Sequence, residues 1–357
     1  LGVARGTRRS GGTGAARAPR LIDVAERAGV SLATASRSLR GRDGVSEEVA
    51  AQVRTVAAEL GYIANPHAST LAGGVTRVAG LLVYEIGDPY FSEIASGAVR
   101  VAAENGWSVQ LSHTAREARA ELAQIRLMRA HRVGAIVMAG SGYVDAEEEE
   151  AANRELRDYQ ESGGRVAVIG RHHLRCDAVL PDNTAAGRSI AGHLLGLGHR
   201  RIAVAAGPAH LTTIADRLAG VRAALTESGL DAAAVPVAHG AFTREGGRDA
   251  MARILGDHPE TTAVLALNDA MATGVLSVLR ERDIEVPGRM SVTGFDDIQV
   301  AQDLAPALTT VALPMADMGA TALGMVLRPA SVRPRRKTTG HRLMIRDSTG
   351  PAPPGVA

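Results

Sequence analysis

LIDVAERAGVSLATASRSLRGRDGVSEEVAAQVRTVAAELGYIANPHASTLAGG, residues 21–74, reads as a series of short helices punctuated by glycine. Leu21 to Ala28 carries Ile22, Val24, Ala25 and Ala28 at helical spacing, and Gly29-Val30 breaks the run. Ser31 is placed to cap a second helix, Leu32 to Leu39, because its hydroxyl can accept a bond from an amide that the first turn leaves orphaned. Two short helices around a glycine turn form the helix-turn-helix pattern, whose second helix enters the DNA major groove. The middle of that helix, Ala33-Thr34-Ala35-Ser36-Arg37-Ser38, is small and hydroxylated, with one long cation. Burying such a surface gains little, but it lets a helix come close to base edges and phosphates, where hydroxyls and Arg bond and alanine meets a thymine methyl. An ordinary surface helix of a small bundle is the other reading.

The third helix is scaffold. Ser46 is its capping candidate, Glu47 and Glu48 suit the positive end of the helix dipole, and Val49, Val53, Val56, Ala57 and Leu60 form one apolar stripe before Gly61. Asn65 and Pro66 then open a stub that Gly73-Gly74 stops after about two turns, too short to persist alone in water. It is expected to form only against a partner. Leu71 is its one large apolar side chain, and such a wedge can enter a base step from the minor groove; a plain linker is the alternative.

DVAERAGVS, ATASRSLRG, VSEEV, LGYIANP and LAGG, in this order and spacing, resemble the DNA-binding headpiece of the lac-repressor/galactose-repressor family of bacterial transcription regulators. The resemblance continues to about Asp347. It implies that Leu32, Ala33 and Arg37 face bases, that Thr34 and Ser36 touch backbone or bases, and that Leu71 is the minor-groove wedge. Asn65, His67 and Ala68 are the other DNA-facing candidates of the hinge segment, and Arg40 adds to phosphate affinity. Ala35, Ser38 and Arg40 stand where members usually carry Val, Val and Asn, and Ala64 replaces a common Pro; these departures bear on operator sequence more than on fold.

The chain has 357 residues, 45% of them hydrophobic, 22% charged and only 3% aromatic, so its cores must rely on aliphatic side chains. One cysteine, Cys176, excludes an intrachain disulfide framework and fits a reducing compartment. No apolar run reaches membrane-spanning length and no signal-peptide core is apparent, so a cytoplasmic protein is expected. Net charge is +2, yet Leu21 to Thr76 holds five Arg against six Asp or Glu, a net of −1. The case for DNA therefore rests on the motif rather than on bulk charge. Residues 1–19, rich in Gly, Ala and Arg, read as a disordered basic arm, residues 20–64 as the helix-turn-helix domain and 65–76 as hinge and linker.

From Arg77 the pattern becomes alternating strands and helices: RVAGLLVYE, WSVQLSH, VGAIVMAG and VAVIGR with helices between, then RIAVAAG, VPVAHG, TAVLAL and MSVTGFDD with theirs. Such runs imply parallel sheets covered on both faces, and two runs imply two lobes. The expected fold is thus α/β, an N-terminal helical headpiece followed by a two-lobed body with parallel sheets. The family likeness makes that body resemble a periplasmic binding protein, with 77–174 and 309–328 in the first lobe, 176–306 and 329–347 in the second, and 348–357 a flexible tail. The tail lacks leucine heptads, so a homodimer is expected over a tetramer.

Ligands of open parallel sheets bind beyond the carboxyl ends of the strands. Those ends carry Asp88, Tyr90, Phe91, Ser141 and Arg171 in the first lobe, and Asp216, Arg217, Phe242, Asn268, Asp269, Asp296 and Asp297 in the second. Arg, Asn and Asp with a few rings suit a small polyhydroxylated or heterocyclic molecule. The resemblance narrows the effector set to Tyr90, Phe91, Ser141, Arg171, Arg217, Phe242, Asn268 and Asp296, with a sugar favoured and a purine-like ligand open. For Phe91 and Phe242 a core role, and for Asp269 and Asp297 a helix-capping role, stand beside the ligand reading.

His172-His173-x-x-Cys176-Asp177 lacks a second ligand pair, so no metal is expected. Arg333-Pro334-Arg335-Arg336-Lys337 reads as a surface loop of the second lobe. No dinucleotide fingerprint, nucleophile elbow or phosphate-binding loop is present, so neither enzyme nor cofactor is expected. The expectation is a dimeric repressor that binds a near-palindromic double-stranded operator under control of a small-molecule effector. A transport binding protein on the same body is the competing class, and residues 1–76 argue against it.

Overall fold

The computed structural model describes residues 18–41, 43–62 and 76–354. The chain divides into two compact units, residues 1–76 and 77–357.

In the first unit, α1 (Leu21–Arg27), α2 (Leu32–Arg40) and α3 (Glu47–Glu59) enclose a small core of Val24, Ala25, Ala28, Ala35, Val53 and Ala57. Gly29, at φ +66, makes the turn between α1 and α2. The Ser31 hydroxyl accepts the Thr34 N–H at 3.0 Å, so α2 starts where the sequence predicts, and Ser46 caps α3 through the Val49 N–H at 3.4 Å. The small residues of α2 divide between two faces. Ala35 and Ser38 turn inward, and the Ser38 hydroxyl is spent on the Thr34 carbonyl at 2.9 Å. Leu32 (50% exposed), Ala33 and Arg37 stay open to solvent, while Thr34 and Ser36 are half-buried. An exposed leucine beside an exposed arginine on a capped helix gains nothing from this core. The side chain of Arg40, and Asn65, His67, Ala68 and Leu71, lie outside the described residues, as does the arm to residue 17.

The second unit alternates β1 (Val78–Val83), α4 (Pro89–Glu104), β2 (Ser108–His113), α5 (Ala118–Ala130), β3 (Ala135–Ala139), α6 (Ala146–Glu161), β4 (Arg165–Ile169) and β5 (Asp177–Pro181). It continues with α7 (Asn183–Gly196), β6 (Ile202–Ala206), α8 (Thr212–Glu227), β7 (Val237–His239), α9 (Arg244–Asp257), β8 (Ala263–Ala266), α10 (Asp269–Glu281), β9 (Ser291–Thr293) and α11 (Val300–Asp303). The closing elements are β10 (Thr310–Ala312), α12 (Met315–Leu327), β11 (Arg336–Thr339) and β12 (Arg342–Met344). One parallel sheet runs β11-β5-β4-β3-β1-β2 and a second runs β7-β6-β8-β9, while β10 and β12 pair antiparallel. Every residue of β3, β6 and β8 is buried, which requires cover on both faces and explains why these strands read as unbroken apolar runs.

Glycines set the closest helix contacts. Gly97 of α4 backs onto the Ala316 carbonyl and Gly319 of α12 onto the Ile94 carbonyl, so α12 returns to the first lobe. Across α7 and α8, Gly187 meets the Arg217 carbonyl and Gly220 the Thr184 carbonyl. A Cβ at any of these four positions would strike backbone, which cannot rotate away.

Three expectations need correction. Residues 177–181 and 336–339 are strands of the first sheet, not parts of the second lobe: β5 extends that sheet directly after β4, and the chain returns later with β11 to pair with β5. The basic run 333–337 is accordingly no free loop: Arg335 bonds the Asp177 carboxylate through its backbone at 2.7 Å and its guanidinium at 2.6 Å, and Arg336 begins β11. The tail is fixed against the second lobe through residue 352. Ser348 is buried and donates to the Val292 carbonyl at 2.6 Å, the Gly350 N–H bonds the Ser291 hydroxyl at 3.1 Å, and the Ala352 N–H bonds the Leu197 carbonyl at 2.9 Å. Among the described residues no helix is long and apolar enough to cross a membrane.

Candidate functional site

At the end of β1 the Asp88 carboxylate caps α4 by accepting the Tyr90 N–H at 3.0 Å, which fixes Tyr90 and Phe91 in the first helical turn. Their rings meet edge to face at 5.0 Å, and Phe91 meets Tyr84 likewise at 5.9 Å. After β3, the Ser141 hydroxyl accepts the Thr213 N–H at 2.8 Å and shares a bond with the Thr212 hydroxyl at 3.0 Å. A first-lobe loop is thereby tied to the start of α8 in the second lobe.

Arg217, on α8, is the electrostatic centre of the second lobe. Its side chain is 3% exposed, donates to Asn183 at 3.0 Å, to the Leu267 carbonyl and to Asp296 at 2.9 Å, and lies 3.6 Å over the Phe295 ring. Asp296 holds φ +111, a strained conformation for a residue other than glycine, and strain of this kind collects at functional sites. Burial pushes the Asp296 carboxyl up to about 7 against the pull of Arg217, with Asp88 adding to the rise. Asn268 caps α10 by accepting the Met271 N–H at 2.8 Å.

These groups converge on a cleft between the lobes, with a volume of about 410 Å³ including its open mouth. Tyr90, Phe91, Ser141, Arg217, Phe242, Asn268 and Asp296 all line it. Arg171 does not. It crosses between the lobes outside the cleft, its side chain 49% exposed, in a two-point bond to Asp216 at 2.7 and 3.1 Å. The preceding Gly170, at φ +113, backs onto the Gly140 carbonyl, leaving no room there for a Cβ. Asp269 is no cap either: it is buried and accepts from the Thr310 hydroxyl at 2.6 Å and the Ile298 N–H at 2.9 Å. Asp297 pairs with Arg346 at 2.7 Å. Both acids hold the frame.

Tyr84, Arg116, Leu211 and Thr213 also line the cleft and were not singled out by sequence. Arg116 was legible in principle, because it follows β2 just as Asp88 follows β1. Behind the first-lobe wall lies a second buried cluster. His172 contacts Glu149 at 3.1 Å and the Gly140 carbonyl at 3.1 Å, and His173 bonds the Tyr143 carbonyl at 3.0 Å. Cys176 is buried and free. Among the described residues no group of three His, Cys, Asp or Glu side chains is arranged to hold a metal.

The cluster predicts a pH dependence. Burial opposes the charge on His172, but the hydrogen bond and charge of Glu149 outweigh it and raise the imidazole above its ordinary 6.5. Burial likewise opposes the charge on Glu149, and His172 with two backbone N–H groups outweighs it, holding the carboxyl at about 2. The His172 contribution is therefore complete below pH 6.5 and lost as pH rises through the raised value; that of Glu149 is complete above the ordinary carboxylate range and lost as pH falls toward 2. The thermal midpoint of the body is expected to fall from neutral to alkaline pH, and His172→Gln to flatten that fall. An unchanged alkaline slope in the variant would remove His172 as its source.

A two-lobed, parallel-sheet body with a polar cleft, preceded by a capped helix-turn-helix, defines a class: DNA-binding regulators with a polar cleft in their body. Residues 20–65 match the model for bacterial regulatory proteins of the lacI family, and residues 191–349 match a periplasmic binding protein-like domain. The chain is 30% identical over 338 residues to the HTH-type transcriptional regulator DegA of Bacillus subtilis, covering 93% of this chain and 98% of that one. Its fold is similar to that of the lac repressor dimer bound to operator and the anti-inducer ONPF, with TM-score 0.83 and 25% identity over 94% of this chain and 100% of that one. It is also similar to a transcriptional regulator CelR–cellobiose complex, with TM-score 0.70 and 28% identity over 92% and 99%. The chain belongs to the lacI family of bacterial regulatory proteins, and it is a DNA-binding transcriptional regulator rather than an enzyme.

Proposed function

We propose that this protein is a cytoplasmic homodimeric repressor whose hold on a near-palindromic operator is set by a small polyhydroxylated molecule in the interlobe cleft. The observation that carries the reading is the convergence of Arg217, Asn268 and Asp296 from one lobe with Asp88 and Ser141 from the other, among the rings of Tyr90, Phe91 and Phe242. Ligand contacts on both lobes couple occupancy to their closure, and closure resets the spacing of the two first lobes in a dimer. Hinge segments that order only in pairs on DNA then respond. The same rings would also stack a purine-like ligand, which is the second reading. Leu32, Ala33, Thr34, Ser36 and Arg37 are the proposed contacts in the major groove, with Arg40 at the phosphates. Asn65, His67, Ala68 and Leu71 are the hinge contacts.

The test selects binding sites from random DNA with the intact protein, then measures operator binding in the presence of sugars, nucleosides and purines. Recovery of a two-fold-symmetric site whose affinity changes with one of these compounds supports the proposal; absence of any preference over random DNA removes it. Leu71→Ala is expected to weaken the selected site more than random DNA, by roughly tenfold or more if the wedge prises a base step. Equal losses on both would assign Leu71 to general packing.

A further inference from the structure

Arg116 sits on a turn that few side chains tolerate. Ala115 and Arg116 hold φ +51 and +61, and the turn is pinned to the residue just after β1 by the Ala115 N–H on the Tyr84 carbonyl at 2.9 Å. That backbone sends the guanidinium into the cleft, 5.3 Å from the ring centroid of Phe242, 5.8 Å from Tyr84 and 5.9 Å from Phe91. Ring faces attract its charge but offer no lone pair to its N–H groups. Among the described residues none of its nitrogens makes a hydrogen bond to protein, and its Nε is buried without a partner. The nearest carboxylate, Asp88, stands 3.6 Å away, beyond hydrogen-bonding distance, and the other oxygen of that carboxylate is held by the Tyr90 N–H. Arg217 is the contrast, with donors spent on Asn183, Leu267 and Asp296.

We infer that Arg116 is the specificity-determining cation of the cleft, and that it selects an effector bearing one carboxylate or phosphate group beside its hydroxyls. The inference rests on the effector reading and narrows it. A planar fork of five donors with no acceptor is matched bidentately by an oxyanion, whereas a hydroxyl fills one donor at a time. The cleft tolerates the added charge: Asp296 faces Arg217 at 2.9 Å, so the cations and carboxylates of the wall balance before ligand arrives.

The experiment uses full-length protein and calorimetric titration at matched ionic strength. D-galacturonate, D-gluconate and D-glucose 6-phosphate are compared with D-galactose and D-glucose; the uronate and gluconate arms report a carboxylate source, the phosphate arm the other. At least one acid is expected to bind roughly tenfold or more tighter than its neutral counterpart, the size of one charge-assisted fork contact. Arg116→Gln is expected to bring that ratio close to one, and Arg116→Lys, which keeps the charge without the fork, to leave an intermediate ratio and so exclude a folding defect. Preference for the neutral sugars, absence of binding by every acid, or equal loss for acid and neutral ligand in Arg116→Gln overturns the inference. In each of those cases the effector reading survives if another compound still alters operator binding through Arg217, and falls separately if none does.

Discussion

Arg217→Ala is expected to abolish the ligand response of operator binding while operator binding itself stays measurable. The guanidinium bridges Asn183, the Leu267 carbonyl and Asp296 beneath the cleft floor, so it fixes both its own donors and the Asp296 carboxylate that a ligand would meet. Truncation leaves Asp296 buried without its cation, and breaking a buried ion pair from one side costs about 3–5 kcal/mol. Asp296 escapes part of that cost by taking a proton, which its carboxyl, already lifted to about 7 by burial, does readily. The headpiece has its own core and its own caps, so a loosened body does not by itself unfold α2. Operator affinity by fluorescence anisotropy, with and without the compound found by screening, separates the effects. Combining Arg217→Met with Asp296→Asn removes the stranded charge; recovered stability with no recovered response places the Arg217–Asp296 pair at the ligand. A response unchanged in either variant takes Arg217 out of the site.

Local pattern announced much of this architecture, and long-range pairing concealed the rest. Ser31 and Ser46 sit at helix starts that their own side chains satisfy, so capping chemistry marked those boundaries from sequence. The cleft residues followed from the rule that parallel sheets bind ligands at strand carboxyl ends, which needs only strand positions. Asp177–Pro181 and Arg336–Thr339 escaped because short strands with partly exposed residues carry little periodic signal, and the pairing of Arg336–Thr339 with β5 spans more than 150 residues of chain. Arg171 misled for a different reason. It does follow a strand, but its geometry sends it to Asp216 on the other lobe instead of inward. Arg116 follows β2 and so fell within the same strand-end rule, but nothing in the residue type forecasts the φ of +61 at that position. Asp269 shows the limit of capping logic: Asn268 takes the cap one residue earlier, and the acid is left to brace β10 through Thr310.

Phe295→Ala is the substitution expected to cost the body most, about 3–5 kcal/mol by the usual scale for a buried aromatic replaced with alanine. Phe295 is 0% exposed, and its carbonyl accepts the Asp269 N–H at 2.8 Å, so it joins the end of the second sheet to the first turn of α10. Its ring is also the platform under Arg217, 3.6 Å from the guanidinium carbon, the shortest of the cation–ring contacts among the described residues. Two roles are superposed here, and leucine separates them. Phe295→Leu keeps most of the apolar volume and is expected to cost about 1 kcal/mol or slightly more, as volume-conserving core changes do. It removes the π-face, however, and leaves Arg217 without the stack that complements its hydrogen bonds in holding it flat toward Asp296. Ligand affinity in Phe295→Leu is therefore expected to fall by roughly threefold to tenfold, out of proportion to its stability, while operator binding without ligand is preserved. Thermal midpoint and ligand titration on the same preparation decide between the roles. A variant that loses stability but binds ligand as before would make the ring a filler of the core, and Arg217 would then be held by its hydrogen bonds alone.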